Sequence, residues 1–281
     1  MRKVLIIGST SIVGLAIGNM LPKTYNVFYA GRKQADYYLD LVLTDLQLFK
    51  NLQFDIVIHA AADFGGNEDS SLSNTEMVNA VGTLNVCRLA RIVQAKHLIV
   101  ISSLFASYTL GDPYFNIYAL SKRHADELAQ FYCHKHDLPL TILRPSQIYD
   151  AKSQCRKHQS LLYLIIDKTQ KGEDIIFYGN NDALRNYILL EDICEIIYRV
   201  TQRHITGIYH CSATQSVRLS EIAETAYRIF NQHGSISFLK DKQDISDLPI
   251  IADNELYKKI GFECTSLYQG IEKIKQNRLN T

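Results

Sequence analysis

The chain has 281 residues, enough for one large domain or two modest ones with a sizeable core. It is 47% hydrophobic and 21% charged with a net charge of +1, which argues against an electrostatic nucleic-acid binder, since that would carry a basic surplus. No apolar run approaches the length of a membrane span, and the apolar stretch after Met1 is too short for a secretory signal, so a cytoplasmic setting without membrane contact is expected.

Taken in order, short β-branched runs alternate with helical patterns. Val4–Gly8 reads as a strand, followed by the turn GSTSIVG, Gly8 to Gly14, and a helix over Val13–Leu21. Asn26–Gly31 reads as the second strand. Too few residues follow it for a full crossover helix, so the second connection is abridged. A short helix is expected over Leu46–Leu52, a strand over Asp55–Ala62, a helix over Thr75–Gln94, a strand over His97–Ser103, a helix over Tyr118–His136 and a strand over Leu140–Ser146. The strands lack polar alternation because both faces would be covered, which predicts an α/β fold with a doubly wound parallel sheet. After Pro145 the rhythm weakens. A basic surface loop over Lys152–His158, a helix over Leu161–Lys171, a strand in DIIFYGN, a helix over Asp192–Thr201, a strand in GIYHCSA and a helix over Leu219–Phe230 are expected. These define a dinucleotide-binding domain over residues 1–150 with 187–213 returning to it. A smaller α/β domain holds 151–186 and 214–281.

Several residues carry chemistry. In GSTSIVG, a strand, a tight turn and a helix N-terminus create an anion site, where unpaired N–H groups and the helix dipole face a pyrophosphate. Gly8 permits the turn, Gly14 permits close helix–strand packing, and Ser11 stands where a third glycine would be. Ser11 is small enough for a phosphate to approach, and its hydroxyl can donate to it. At the end of the second strand a carboxylate would accept from a ribose 2′-OH, whereas a cation accommodates a 2′-phosphate. Here Arg32 and Lys33 follow Gly31 and no acid appears before Asp36, which points to NADP(H), with NAD(H) as the alternative. Tyr118 and Lys122 are spaced i, i+4 on one helix face. A nearby ammonium favours the phenolate, so the Tyr118 pKa is expected to fall from its ordinary value, making it a general acid/base. Tyr29 and Lys33 repeat the spacing on a strand and turn, without that geometry. Ser102 and Ser103 end a strand where open parallel sheets bind ligands, and Ser103 leads out of it.

The six cysteines, Cys87, Cys133, Cys155, Cys194, Cys211 and Cys264, form no C-x-x-C pair and read as reduced thiols. His134 and His136 have no third ligand nearby, so no metal is expected.

Together these motifs resemble the extended short-chain dehydrogenase/reductase family, in particular its nucleotide-sugar epimerases, dehydratases and 4-ketoreductases. Six motifs in order carry the resemblance: GSTSIVG; the His59-Ala60-Ala61-Ala62 strand end; Asn79-Ala-Val-Gly82-Thr83; the serine-bearing SSLFASY; Tyr118-x-x-x-Lys122; and Arg144-Pro145-Ser146-Gln147-Ile148-Tyr149. Leu184-Arg185-Asn186-Tyr187-Ile188 further resembles the family's R-D-F-I motif. The resemblance implies a Rossmann fold and hydride transfer at a sugar carbon, with Tyr118 exchanging the proton, Ser103 orienting the oxygen and Lys122 tuning the tyrosine. It implies cofactor contacts from Gly8, Ser9, Thr10, Ser11, Ile12, Gly14, Arg32, Lys33, Ala60, Ala61, Ala62, Asn79, Ile101, Tyr118, Lys122, Pro145, Ser146 and Ile148. For a nucleotide-diphosphate sugar it implies Ser103, Leu104, Phe105 and Arg185, the last on a phosphate at the domain interface, and it implies a homodimer. Three departures matter: Ser103 and Tyr118 are only fifteen residues apart, Asn186 replaces an aspartate, and Leu104-Phe105 stand where dehydratases carry acids. The expectation is an NADP(H)-dependent reductase of a nucleotide-linked 4-keto sugar. The alternatives are an NAD-dependent nucleotide-sugar 4-epimerase and a non-catalytic cofactor-binding protein.

Overall fold

The computed structural model describes residues 1–248, 250 and 253–280. In it the chain divides into two compact units. The first holds Met1–Pro145, Cys194–His210 and Lys258–Ile260; the second holds Ser146–Ile193, Cys211–Tyr257 and the chain from Gly261. Residues 249, 251, 252 and 281, within the domain assigned to 214–281, lie outside the described residues.

In chain order the strands are β1 (Arg2–Ile7), β2 (Tyr25–Gly31), β3 (Tyr37–Tyr38), β4 (Ile56–His59), β5 (His97–Ile101), β6 (Leu140–Pro145), β7 (Gln147–Tyr149), β8 (Ile175–Tyr178), β9 (Leu184–Arg185), β10 (Tyr187–Leu189), β11 (Gly207–Cys211), β12 (Val217–Arg218) and β13 (Ile236–Leu239). The principal helices are α1 (Ile12–Met20), α2 (Asp69–Glu76), α3 (Gly82–Ile92), α4 (Ile117–Lys135), α5 (Ser160–Gln170), α6 (Leu190–Arg203), α7 (Leu219–Phe230), α8 (Glu255–Ile260) and α9 (Leu267–Leu279).

A seven-stranded sheet in the order β11-β6-β5-β4-β1-β2-β3 organises the first unit. Every residue of β4 and β5 is buried, as uninterrupted apolar runs require when both faces are covered. Leu5, Val57, Leu98 and Val100 pack with Val86 and Leu89 of α3 in one hydrophobic cluster. The chain winds from β1 to β2 and β3 on one side, then returns as β4 on the other. That reversal opens a crevice at the carboxyl ends of β1 and β4.

The abridged second connection is a five-residue loop that folds straight back into β3, parallel to β2 with Ala30 opposite Tyr37. Asp36 holds this reversal. Its amide donates to the Tyr29 carbonyl and its carboxylate accepts from the Tyr29 amide at 2.8 Å.

The helix expected over Thr75–Gln94 begins earlier. It runs as α2, a single π-helical turn over Met77–Val81, and α3. Such turns insert one residue and re-aim side chains, and Asn79 sits in this one.

The second unit contains three two-stranded ladders: β7 with β10 and β8 with β13, both parallel, and β9 with β12, antiparallel. The stretch belonging again to the first unit is Cys194–His210, shorter at both ends than the 187–213 expected. Tyr187–Leu189 is committed to pairing with Gln147–Tyr149 instead.

Candidate active site

The glycine turn fits a dinucleotide for steric reasons. Gly8 has φ +111, and a Cβ on it would lie 2.8 Å from the Ala61 amide nitrogen. A Cβ on Gly14 would lie 2.9 Å from the Gly8 carbonyl oxygen. Only glycine lets strand end, turn and helix approach this closely. Ser11 is the N-cap of α1, its hydroxyl oxygen accepting from Gly14 N at 3.3 Å. The first-turn amides of Ile12 and Val13 have no intrahelical acceptor, and no described residue supplies one. Free amides at a helix N-terminus are of the kind that can meet an anion.

Ser9 anchors the turn through its side chain. Its side chain is buried against Gly31, and its hydroxyl donates to the Lys33 carbonyl at 2.5 Å. It fastens the glycine turn to the loop after β2 and has only its backbone to offer a cofactor. In that loop Arg32 and Lys33 are exposed. Asp36, the one nearby acid, is spent on the Tyr29 amide.

At the end of β5 the catalytic candidates converge. Lys122 is buried and its ammonium donates to the Ile101 carbonyl at 2.9 Å. Ser103 caps the short turn Leu104–Ser107 by accepting from Phe105 N, and its side chain is hydrogen-bonded to the Tyr118 phenol. The Tyr118 ring is half-buried, stacked on Phe64 at 5.3 Å and met edge-on by Phe105 at 6.1 Å. Leu104 is only 1% exposed, so it packs in the core and does not offer its side chain to a substrate; Phe105 does face the tyrosine.

The expected fall in the Tyr118 pKa is overturned. Burial pushes the phenol up to about 12, Asp126 adds to the rise, and the Ser103 hydrogen bond opposes it. Burial likewise pushes Lys122 down to about 8, opposed by Asp126. In these surroundings desolvation outweighs the i, i+4 cation.

Asn79, already singled out in the sequence, braces this pair together with Asp63, Ser121 and Asp126, which sequence reasoning missed. Asn79 accepts from Asp63 N at 2.8 Å, and its amide donates to the Asp63 carbonyl and to Ser121 Oγ. Ser121 donates to the Tyr118 carbonyl at 3.0 Å, so Asn79 ties the loop after β4 to the turn of α4 that carries Tyr118. Thr83 donates to the Asn79 carbonyl at 2.6 Å, which leaves its oxygen to accept from His59 Nε2–H. Burial, with the Lys122 charge adding to it, pushes the His59 pKa down to about 3, which keeps the ring neutral. Asp126 continues the Tyr118–Lys122 stripe by one more turn and pairs with Arg144 of β6 at 2.8 Å. Burial raises its pKa, opposed chiefly by Arg144. The signal was legible: an acid at i, i+4, i+8 on a buried face demands a cation.

In the second unit, Arg185 is buried and its Nη1 donates to the carbonyls of Leu184 and Ser246, each at 2.8 Å. Asn186 both accepts from Ala213 N and donates to the Ala213 and Gln215 carbonyls. An aspartate could not donate, which accounts for the departure at this position. Ser146 is buried and Ile148 half-buried. Among the described residues all six cysteines are free thiols, no group of three ligating side chains could hold a metal, and no helix is long and apolar enough to cross a membrane.

A parallel sheet with a glycine turn at its switch point, and a Ser–Tyr–Lys set at the end of β5, is the arrangement the sequence motifs led one to expect. The chain belongs to the NAD dependent epimerase/dehydratase family, whose model matches residues 4–223. CDP-abequose synthase of Salmonella typhimurium (strain LT2) is 26% identical over 137 residues, 49% of this chain and 44% of that protein. The chain thus matches less than half the length of that relative. UDP-glucose 4-epimerase of Thermotoga maritima, solved with UDP-glucose, superposes with a TM-score of 0.81 at 15% identity, covering 99% of both chains. RMD from Pseudomonas aeruginosa, solved with NADPH, superposes with a TM-score of 0.77 at 15% identity, covering 100% of both chains.

Proposed function

We propose that this protein is an NADP(H)-dependent reductase of a nucleotide-linked 4-keto (deoxy)sugar. The observation that carries this reading is the end of β2, where Arg32 and Lys33 are exposed and Asp36 is committed to the Tyr29 amide. Two cations without an acid suit a 2′-phosphate. The likeness to CDP-abequose synthase and the NADPH bound to RMD support the same choice.

In this reading the amides of Thr10, Ile12 and their neighbours in the turn hold the pyrophosphate, Ala60–Ala62 and Ile101 wall the dinucleotide, and Pro145, Ser146 and Ile148 complete its nicotinamide side. The cofactor supplies the hydride. Tyr118 gives its phenolic proton to the carbonyl oxygen, so hydride and proton together convert a ketone to an alcohol. Ser103, already bonded to Tyr118, orients that oxygen. Lys122, fixed on the Ile101 carbonyl, holds a positive charge near the phenolate that forms. Arg185, steadied by two carbonyls, meets a substrate phosphate. A phenol pushed up to about 12 holds its proton at neutral pH, which suits a general acid awaiting a ketone.

The second reading, an NAD-dependent 4-epimerase, draws on the Thermotoga epimerase's likeness in fold. An epimerase would begin by removing a hydroxyl proton and would end without net consumption of cofactor, so the two readings part on cofactor use. A thermal-shift comparison separates the two. NADPH should raise the melting temperature more than NADH at equal concentration, because a ligand bound only by the folded state stabilises it. Protein that purifies with NAD it will not release favours the epimerase.

A further inference from the structure

Phe64 stands two residues beyond Ala62, in the loop after β4. It is a large apolar side chain left 55% exposed, yet its ring lies on the catalytic phenol, 5.3 Å between centroids and 16° from parallel. The loop that carries it is firmly fixed. Asp63 is bound at both its amide and its carbonyl by Asn79. Its carboxylate accepts from Gly65 N, Thr75 Oγ1 and Asn74 Nδ2. Gly65 has φ +82, and a Cβ there would lie 2.8 Å from Ile117 Cγ2, so only glycine brings the loop this close to the first residue of α4. An exposed aromatic ring set down by so many hydrogen bonds is placed there by the loop.

We propose that Phe64 is a positioning residue for the reaction assigned above. It closes one face of the Tyr118 ring to water, keeps the phenol turned toward Ser103, and leaves a ketone a single side from which to reach the hydroxyl. Phe105 closes the phenol edge-on, so the two phenylalanines form a corner around it. The inference rests on Tyr118 being the proton donor. Half-burial of Tyr118 follows in part from this cover, and burial is the main reason its proton is held.

The test reads Tyr118 directly. Tetranitromethane nitrates accessible phenols, and peptide mass spectrometry reports each tyrosine separately. In the wild-type protein Tyr118 should be nitrated far more slowly than the exposed Tyr38 and Tyr178, which are 67% and 56% exposed. Phe64→Ala should raise the Tyr118 rate several-fold, and Phe64→Leu, which keeps apolar cover, should stay near wild type. In turnover, Phe64→Ala should lower kcat by about tenfold to a hundredfold with NADPH affinity unchanged, since small misplacements at a reacting group have effects of that order. Phe64→Leu should recover most of the loss. Wild-type Tyr118 nitrated as fast as Tyr38, or a folded Phe64→Ala protein with wild-type nitration and kcat, overturns the proposal. The wild-type comparison needs no variant to fold. Failure of the reductase reading would show separately, as wild-type protein that turns over no keto sugar while the nitration contrast persists.

Discussion

Replacing Lys122 by methionine should abolish activity and make the protein more stable. The ammonium is 2% exposed, and burial holds its pKa at about 8 against an ordinary 10.5. That depression corresponds to about 3 kcal/mol of destabilisation while the unfolded lysine is fully protonated. Methionine removes this cost and keeps the apolar stem. It also forfeits the hydrogen bond to the Ile101 carbonyl, worth about 1–1.5 kcal/mol. The net expectation at pH 7 is a gain of about 1–2 kcal/mol. The sign with pH follows from the depressed value. Between pH 8 and 10.5 the unfolded chain binds more protons at this site than the folded one, so wild-type stability recovers as pH rises. The advantage of Lys122→Met should therefore be full below pH 8 and disappear toward pH 10.5, where the lost hydrogen bond remains. The chain has no tryptophan, so denaturant unfolding is best followed by far-UV circular dichroism. A variant less stable than wild type at pH 7, or a difference that does not change between pH 7 and 10, refutes the reasoning.

Three other perturbations follow. Tyr118→Phe should lower kcat by about 10²–10⁴, the usual worth of a positioned acid, with cofactor affinity intact by thermal shift. Asn79→Ala leaves the Asp63 amide and carbonyl and Ser121 without their partner in a buried site, and should cost about 2–4 kcal/mol in denaturant unfolding; a loss below about 0.5 kcal/mol would mean the brace carries little of the site's order. Arg32→Asp combined with Lys33→Ala should weaken NADPH binding by roughly ten- to a hundredfold in direct titration, as loss of one charge-assisted phosphate contact implies, and leave NADH binding unchanged or improved.

The parts of this molecule legible in its sequence are those that local chemistry dictates. Fully apolar runs became strands buried on both faces, and the glycines at 8 and 14 stand where a side chain would strike backbone. Tyr118 and Lys122 share a helix face because their spacing compels it. What stayed hidden depends on partners far along the chain. The π turn at Met77–Val81 leaves no composition signal, yet it carries Asn79. Strand β3, two residues long, is too short for any period to register and is held by Asp36. The position of Asp126 on the buried stripe of α4 called for a cation, but that Arg144 is that cation becomes evident only when β6 lies beside α4. The direction of the Tyr118 shift was misjudged because spacing reveals the nearby cation and conceals the depth of burial. Strand β13 and helices α8 and α9 went unread. Exposed and half-buried residues alternate along β13, which makes it a weak signal, and α9 announces itself only through the capping box of Ser266 and Gln269.

The central claim is net reduction of a nucleotide-linked keto sugar. The most direct measurement is NADPH consumed against sugar product formed, over a panel of nucleotide-linked 4-keto-6-deoxysugars, with Tyr118→Phe as the control. One NADPH should disappear for each alcohol formed, and the control should be nearly silent. Interconversion of 4-epimeric nucleotide sugars with no NADPH consumed would contradict it.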